Sequence, residues 1–251
     1  MSYLPEPPAD EKTIWRYMDI SKLLSLLETR QLVFARADAF EDLYEGHWPE
    51  PSIAELEKYG DNSIAKAVAV QPLRERERMF ISCWHENPAE SAAMWRIFLK
   101  SNDGVAIKTS AGLLKKQLNK TNLHIEFGRV RYIDYSKEPI PDGRVFNPYF
   151  HKRLDFVHER EVRAVVWNQP SSTHRIEVQP DAKIFSINVD VPELIQELVI
   201  APRHDSWFRE LVETVVKKRY GIQCEISDSK VLTAPKLRAP DQWPHTSSTS
   251  S

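Results

Sequence analysis

The stretch from Leu198 to Ile226 constrains the fold more than any other. Leu198, Val199, Ile200 and Ala201 form a continuous apolar run of strand length. Asp205 or Ser206 then offers an N-cap for an amphipathic helix that runs to Arg219, and Gly221 supplies the left-handed stop. Ile222 to Ile226 reads as a return strand. A crossover helix brings the chain back to the end of the sheet where it started, so a strand–helix–strand unit of this kind closes a sheet. The chain must therefore fold around a β-sheet that carries at least one packed helix.

Upstream, strand-length and helix-length patterns alternate irregularly. Strands are predicted over 14–18, 31–36, 78–84, 104–109, 161–167 and 183–189, with one or two more between Leu123 and Tyr135. Helices are predicted from Asp19 or Ser21 to Thr29, near 63–70, over 91–99, and from an N-cap at Ser110 to Leu118. Leu23, Leu24, Leu26 and Leu27 give the first of these a broad apolar face. Ser52 and Glu55 have capping-box spacing for a further helix. Asn147 and Pro148 read as an N-cap and first helical position, which predicts a helix over 149–156. The expected fold class is α+β: a single domain with a mixed β-sheet and packed helices. That domain is expected over 12–232, between a flexible N-terminal arm (1–11) and a disordered, Ser/Thr-rich C-terminal tail (233–251).

Composition narrows the function classes. A chain of 251 residues with 41% hydrophobic residues can bury a large core, and a net charge of −2 lacks the basic excess of a non-specific nucleic-acid coat. A local basic groove stays open. Met1 to Asp10 carries prolines and acids where a signal peptide would be basic and then apolar, and no run approaches the roughly 20 apolar residues of a membrane span. A soluble cytoplasmic protein, without membrane contact, is expected. Cys83 and Cys224 lie in separate apolar runs and read as buried free thiols. No Gly-rich dinucleotide or phosphate loop occurs, and no Cys/His cluster has zinc spacing; His85, His151 and His158 show no metal-ligand pattern. No metal is predicted.

Two constellations carry chemistry. Asp42 and Glu45 sit in a loop interleaved with Phe40, Tyr44 and Trp48. Either the two carboxylates form a ligand or metal site, or the loop is a structured turn in which Asp42 accepts backbone N–H groups and Glu45 pairs with a base. Farther on, His158, Glu159, Arg160 and Glu161 precede a β-branched run. In an extended chain Glu159, Glu161 and Arg163 share one side. They read either as a charged strand face or as a catalytic carboxylate pair. Lys152, Arg153, Arg160 and Arg163 form a basic cluster, which is either a solvated face or a phosphate-binding wall. Trp95 falls on the apolar face of its helix and reads as core.

Four stretches resemble the bacterial family called domain of unknown function 2971. They are Trp15-Arg16-Tyr17 with the leucine helix and Leu32 to Arg36; Phe40 to Gly46; Phe80 to Trp84 with Met94-Trp95 and Gly104 to Ile107; and Lys152-Arg153 with Phe156 to Arg163. In the second stretch Phe40 to Glu45 replaces the commoner Asn-Asp-Pro-Phe-Glu. The family name carries no activity.

Glu159 and Glu161, one residue apart before a strand, resemble the Glu-x-Glu element of ADP-ribosyltransferases. That resemblance implies an enzyme using NAD, with a protein or nucleic-acid acceptor; the resemblance to the bacterial family of unknown function implies a role in phage defence or as a toxin. It implies that Glu161 holds a hydroxyl of the nicotinamide ribose, favouring the positive charge that develops at the anomeric carbon, and that Glu159 orients or deprotonates the acceptor. It places Arg16 and Arg36 on the NAD phosphates and Tyr17, Trp84 or Trp95 against nicotinamide. Ile81-Ser82-Cys83 stands where those enzymes carry a Ser-Thr-Ser triplet. Two other readings stand beside it. One is a non-catalytic regulatory module that binds a nucleotide, a small molecule or a protein. The other is a metal-dependent nuclease built from Asp42, Glu45, Glu159 and Glu161. The nuclease reading meets Arg163 where the usual core has lysine, and a guanidinium does not readily give up its proton.

Overall fold

The computed structural model describes residues 4–58, 62–99, 102–141, 143–169, 176, 178, 179 and 181–233. The strands are β1 (Thr13–Asp19), β2 (Gln31–Arg36), β3 (Met79–Glu86), β4 (Gly104–Ser110), β5 (Ile125–Arg129), β6 (Arg131–Ile133), β7 (His151–Arg153), β8 (Glu161–Trp167), β9 (Ile184–Asn188), β10 (Glu197–Ile200) and β11 (Glu225–Asp228). The helices are α1 (Ile20–Thr29), α2 (Glu50–Glu57), α3 (Asn62–Glu75), α4 (Ala92–Phe98), α5 (Ala111–Leu118), α6 (Val191–Leu194) and α7 (Ser206–Glu213), the last continued by a π-helical segment, Thr214–Arg219.

One mixed sheet organises the molecule, in the order β11-β10-β4-β1-β3-β2-β9, with β8 and then β5 leaving β3 on its other edge. All its pairings are antiparallel except β10 with β11, which are joined through α7 as the closing strand–helix–strand pattern requires. The largest core covers one face. There α1 contributes Leu23, Leu26 and Leu27, α5 contributes Ala111, Leu114 and Leu118, and α7 contributes Phe208 and Val212. These helices have an apolar stripe at helical spacing, so burial on a sheet face is what holds them. On the opposite face α4 packs Met94 and Trp95 on Trp15 and Tyr17, and a separate cluster joins Met79, Ile81 and Val165 to Tyr149 and Phe150.

The mixed α/β single-domain architecture is the one expected, and two local readings are corrected. Residues 149–156 do not form a helix. They make a 3₁₀ turn (Asn147–Phe150), the short strand β7 paired with β6, and a second 3₁₀ segment (Leu154–Glu159). Tyr149, Phe150, His151 and Lys152 are buried in succession, which a one-faced surface helix cannot achieve. Ser52 does not cap α2, which begins two residues earlier behind Pro49; its Oγ accepts the Ile140 N–H at 2.7 Å. The first described residues, expected as a loose arm, lie along β5. Arg129 N–H donates to Glu6 O at 2.9 Å, and Pro5 fills the space a Gly128 side chain would need. The tail over 234–251 lies outside the described residues. Among the described residues no helix is long and apolar enough to cross a membrane.

Candidate functional site

The site begins with a fork in the sheet. On one edge β3 pairs with β8 along its whole length, from Met79 opposite Trp167 to His85 opposite Glu161. On the other edge it is shared. β1 pairs only at Glu86 and His85, and β2 only at Ile81 and Phe80. Between these contacts β1 turns away with β4 and β2 turns away with β9, so Ser82 to Trp84 have no ladder partner on that edge. Exposed strand edges need polar partners. Arg16 of β1 bridges the opening and satisfies one such group on β2: one Nη donates to the Val33 carbonyl at 2.9 Å and the other to the Ser82 side-chain Oγ at 2.7 Å. Its guanidinium also lies 5.5 Å from the Trp84 ring centre.

A cavity of about 480 Å³ opens at this fork. It is lined by Arg16, Tyr17, Cys83, Trp84, His85 and Glu161, with Lys22, Met94 and Phe98 among the other wall residues. Arg16 has no carboxylate within ion-pair distance among the described residues. Burial lowers its pKa to about 10, with Cys83 acting the other way, so it is still a cation at neutral pH. Two of its five N–H donors are used, which leaves donors for an anion. Tyr17 is packed edge-on to Trp95, with ring centres 4.8 Å apart, and its Oη accepts the Ser91 N–H at 2.8 Å.

Behind Glu161 lies a buried ion cluster. Arg163, fully buried, forks onto Glu45 at 2.7 and 2.9 Å, donates to the Tyr149 carbonyl at 2.6 Å, and through Nε holds Glu161. Lys152 donates to Glu159 and, at 3.1 Å, to the other oxygen of Glu161. Burial pushes the Glu161 carboxyl up, but Arg163 and Lys152 together outweigh it and hold the group well below the ordinary range, ionised. Glu159 goes the other way: burial first, then the charge of Glu161, raise it. Three carboxylates face two cations here, and Glu159 is the one that takes up a proton most readily. The loop that delivers Glu45 depends on Gly46, whose φ is +73° and whose missing side chain makes room for the Tyr149 ring.

Arg16, Tyr17, Trp84 and Glu161 thus share one cavity, although 145 positions separate the first from the last. The other candidates lie elsewhere. Arg36 does not line the cavity. It points to the opposite sheet face from Ala35 and forks onto Asp38 at 2.7 and 3.0 Å. Glu159 sits behind Glu161, because Arg160 takes a left-handed conformation (φ 41°) and the chain is not extended there. Glu45 reaches the site only through Arg163. Asp42 accepts the Tyr44 N–H at 3.0 Å and faces Arg153 at 3.4 Å. Trp95 is core, its Nε1 on Glu90 at 2.9 Å, and His158 is exposed.

His85 was passed over in the sequence because it has no metal-ligand spacing. Its strand position was the available signal: it alternates with Ile81 and Cys83 on the face that carries Glu161. Its Nδ1 lies 2.6 Å from the Glu159 carbonyl. Lys22 of α1, a second cation on the cavity wall, was also missed.

No family model matches the chain, so the resemblance to domain of unknown function 2971 gains no support from that comparison. No curated protein matches it either. Solved structures of DarT from Thermus sp. 2.9 are similar in outline. The complex with carba-NAD+ has a TM-score of 0.38 at 11% identity, covering 88% of this chain and 96% of that one. The NAD+ complex has 0.39 at 11%, covering 91% and 98%. The complex with ADP-ribosylated ssDNA has 0.40 at 13%, covering 90% and 98%. At scores of this size the likeness does not extend to side chains or to what a protein binds.

Proposed function

We propose that the cavity binds NAD and that the protein is an ADP-ribosyltransferase. One observation carries this reading: a guanidinium with no acid partner among the described residues and a carboxylate kept ionised by two cations line the same cavity. The first suits a phosphate. The second suits a hydroxyl next to a carbon that becomes positive. In the reaction the bond from the anomeric carbon to the nicotinamide nitrogen breaks, and its electron pair neutralises the departing pyridinium. The acceptor's nucleophile then bonds to that carbon, and its proton passes to a base. Glu161, with lone pairs left on both oxygens, accepts a ribose hydroxyl and faces the developing charge. Tyr17 or Trp84 borders the nicotinamide and Arg16 takes a phosphate with Lys22 nearby; Glu159, behind Glu161 and outside the cavity, acts only through its neighbour, and the acceptor's proton passes to solvent. A protein or nucleic-acid acceptor would make such an enzyme suitable for phage defence or as a toxin.

A second reading, a non-catalytic module that binds a nucleotide in the same cavity, is favoured by one fact: Lys152 and Arg163 already occupy both oxygens of Glu161. The nuclease reading loses its acids. Glu45, Glu159, Glu161 and Asp42 are all drawn to cations, and among the described residues no group of three or more His, Cys, Asp or Glu is placed to hold a metal.

The two surviving readings separate in one assay. Purified protein is mixed with NAD, released nicotinamide is measured, and binding is followed by calorimetry. The enzyme releases nicotinamide, and Glu161→Gln lowers the rate at least about 100-fold. Binding without release in the wild type points to the module. Neither binding nor release sinks both.

A further inference from the structure

The strongest unused group in the cavity is His85. It lines the wall, is 3% exposed, and its Nε2 is buried with no hydrogen-bond partner among the described residues. Its Nδ1 lies 2.6 Å from the Glu159 carbonyl. A carbonyl only accepts, so Nδ1 must carry the proton. The neutral ring therefore presents Nε2 as an acceptor. Burial lowers the pKa of this ring, opposed by the Glu159 carbonyl, with Arg160 and His158 reinforcing the fall and Glu161 resisting it. An unpaired buried acceptor costs stability, and in a site it marks the place of a donor the ligand brings.

The register supplies the geometry. His85 and Glu161 are directly opposite each other across the antiparallel pair β3–β8. Residues so placed share a sheet face, with Cβ atoms about 4.5–5.5 Å apart. Two acceptors therefore stand side by side at the cavity wall: a carboxylate and an imidazole nitrogen. A pair of adjacent hydroxyls on one face of a sugar ring is the matching set of donors.

We propose that His85 and Glu161 together read the cis-diol of a ribose, each accepting from a different hydroxyl, so that the site selects ribonucleotide ligands over deoxy forms. This deepens the NAD reading above and rests on it. Selection of this kind is effective because a ligand lacking one hydroxyl leaves a buried acceptor unpaired.

The test is calorimetry with three probes: NAD+, and its analogues lacking either the 2′- or the 3′-hydroxyl on the nicotinamide ribose. His85→Asn keeps a donor for the Glu159 carbonyl and removes the Nε2 acceptor. We expect it to weaken NAD+ by about three- to tenfold. That loss should vanish for one monodeoxy analogue and persist for the other, whereas the loss from Glu161→Gln should show the reverse pattern. A His85→Asn loss that is equal for all three probes, or absent for NAD+, overturns the proposal while leaving NAD binding intact. Should that variant fail to fold, the wild type decides alone: both analogues must bind more weakly than NAD+, and equal binding overturns the proposal. If the wild type binds none of the three, the NAD reading falls and this inference falls with it.

Discussion

Glu159 and Glu161 show how little chemical identity fixes a residue's behaviour. Both are glutamates, two positions apart, on the same lysine. Glu161 also faces Arg163 and is pulled down; Glu159 has the lysine alone and is pushed up. The signs of the two linkages differ. Glu159, raised on folding, contributes stability that is lost as pH rises from the ordinary carboxylate value through about 7. Glu161, lowered on folding, contributes stability that is lost as pH falls below the ordinary value. We predict that Glu159→Gln makes the slope of urea stability against pH more positive between pH 5 and pH 7, because Glu159 there opposes the lowered His85 and His151, which favour the folded state as pH rises. An unchanged slope in that variant would assign the proton elsewhere. The expectation that Glu159 and Glu161 share one side of an extended chain does not hold at Arg160; the two acids meet on Lys152 instead. The sequence could not show that a left-handed Arg160 sets Glu159 behind its neighbour. Nor could it show the role of His85, which depends on a carbonyl 74 residues away.

At the level of elements, the acidic loop and β8 act as one unit through Glu45 and Arg163, both 1% exposed or less. Removing one member of a buried pair leaves the other charge without compensation. We predict that Arg163→Met lowers stability by about 3–5 kcal/mol, measured by urea denaturation. Adding Glu45→Leu should recover part of this, because it removes one of the two stranded carboxylates. Simple additivity of the two losses would show that the pair is not coupled. The loop was legible as two alternatives, a ligand site or a pinned turn, because its spacing suits both. Only the contact with Arg163, 118 positions later, distinguishes them. Strands and helices with strong periodicity, such as β2, α5 and the β10–α7–β11 unit, were readable from pattern alone. The segment from Asn147 to Phe156 was not. Its Asn-Pro start is a helix signal, but its consecutive buried residues join β6 and the core around Met79, Ile81 and Val165.

For the whole molecule, the defining feature is that β3 carries β8 on one edge and divides the other between β1 and β2. This could not be read from the sequence, since β1 and β2 have ordinary strand patterns and their divergence is set by the partners each keeps, β4 and β9. A single side chain, Arg16, spans the opening from Ser82 to Val33. A ligand held by Arg16 and Glu161 would stitch the two arms of the sheet together. Bound NAD should therefore slow amide exchange along β2 and β9 as well as at the cavity wall. Protection confined to the wall would mean that the arms are already rigid. The same opening has a mechanical consequence: a sheet interrupted at its centre can flex there without breaking its outer ladders, so a seam that would admit a molecule is also where the scaffold would yield most readily.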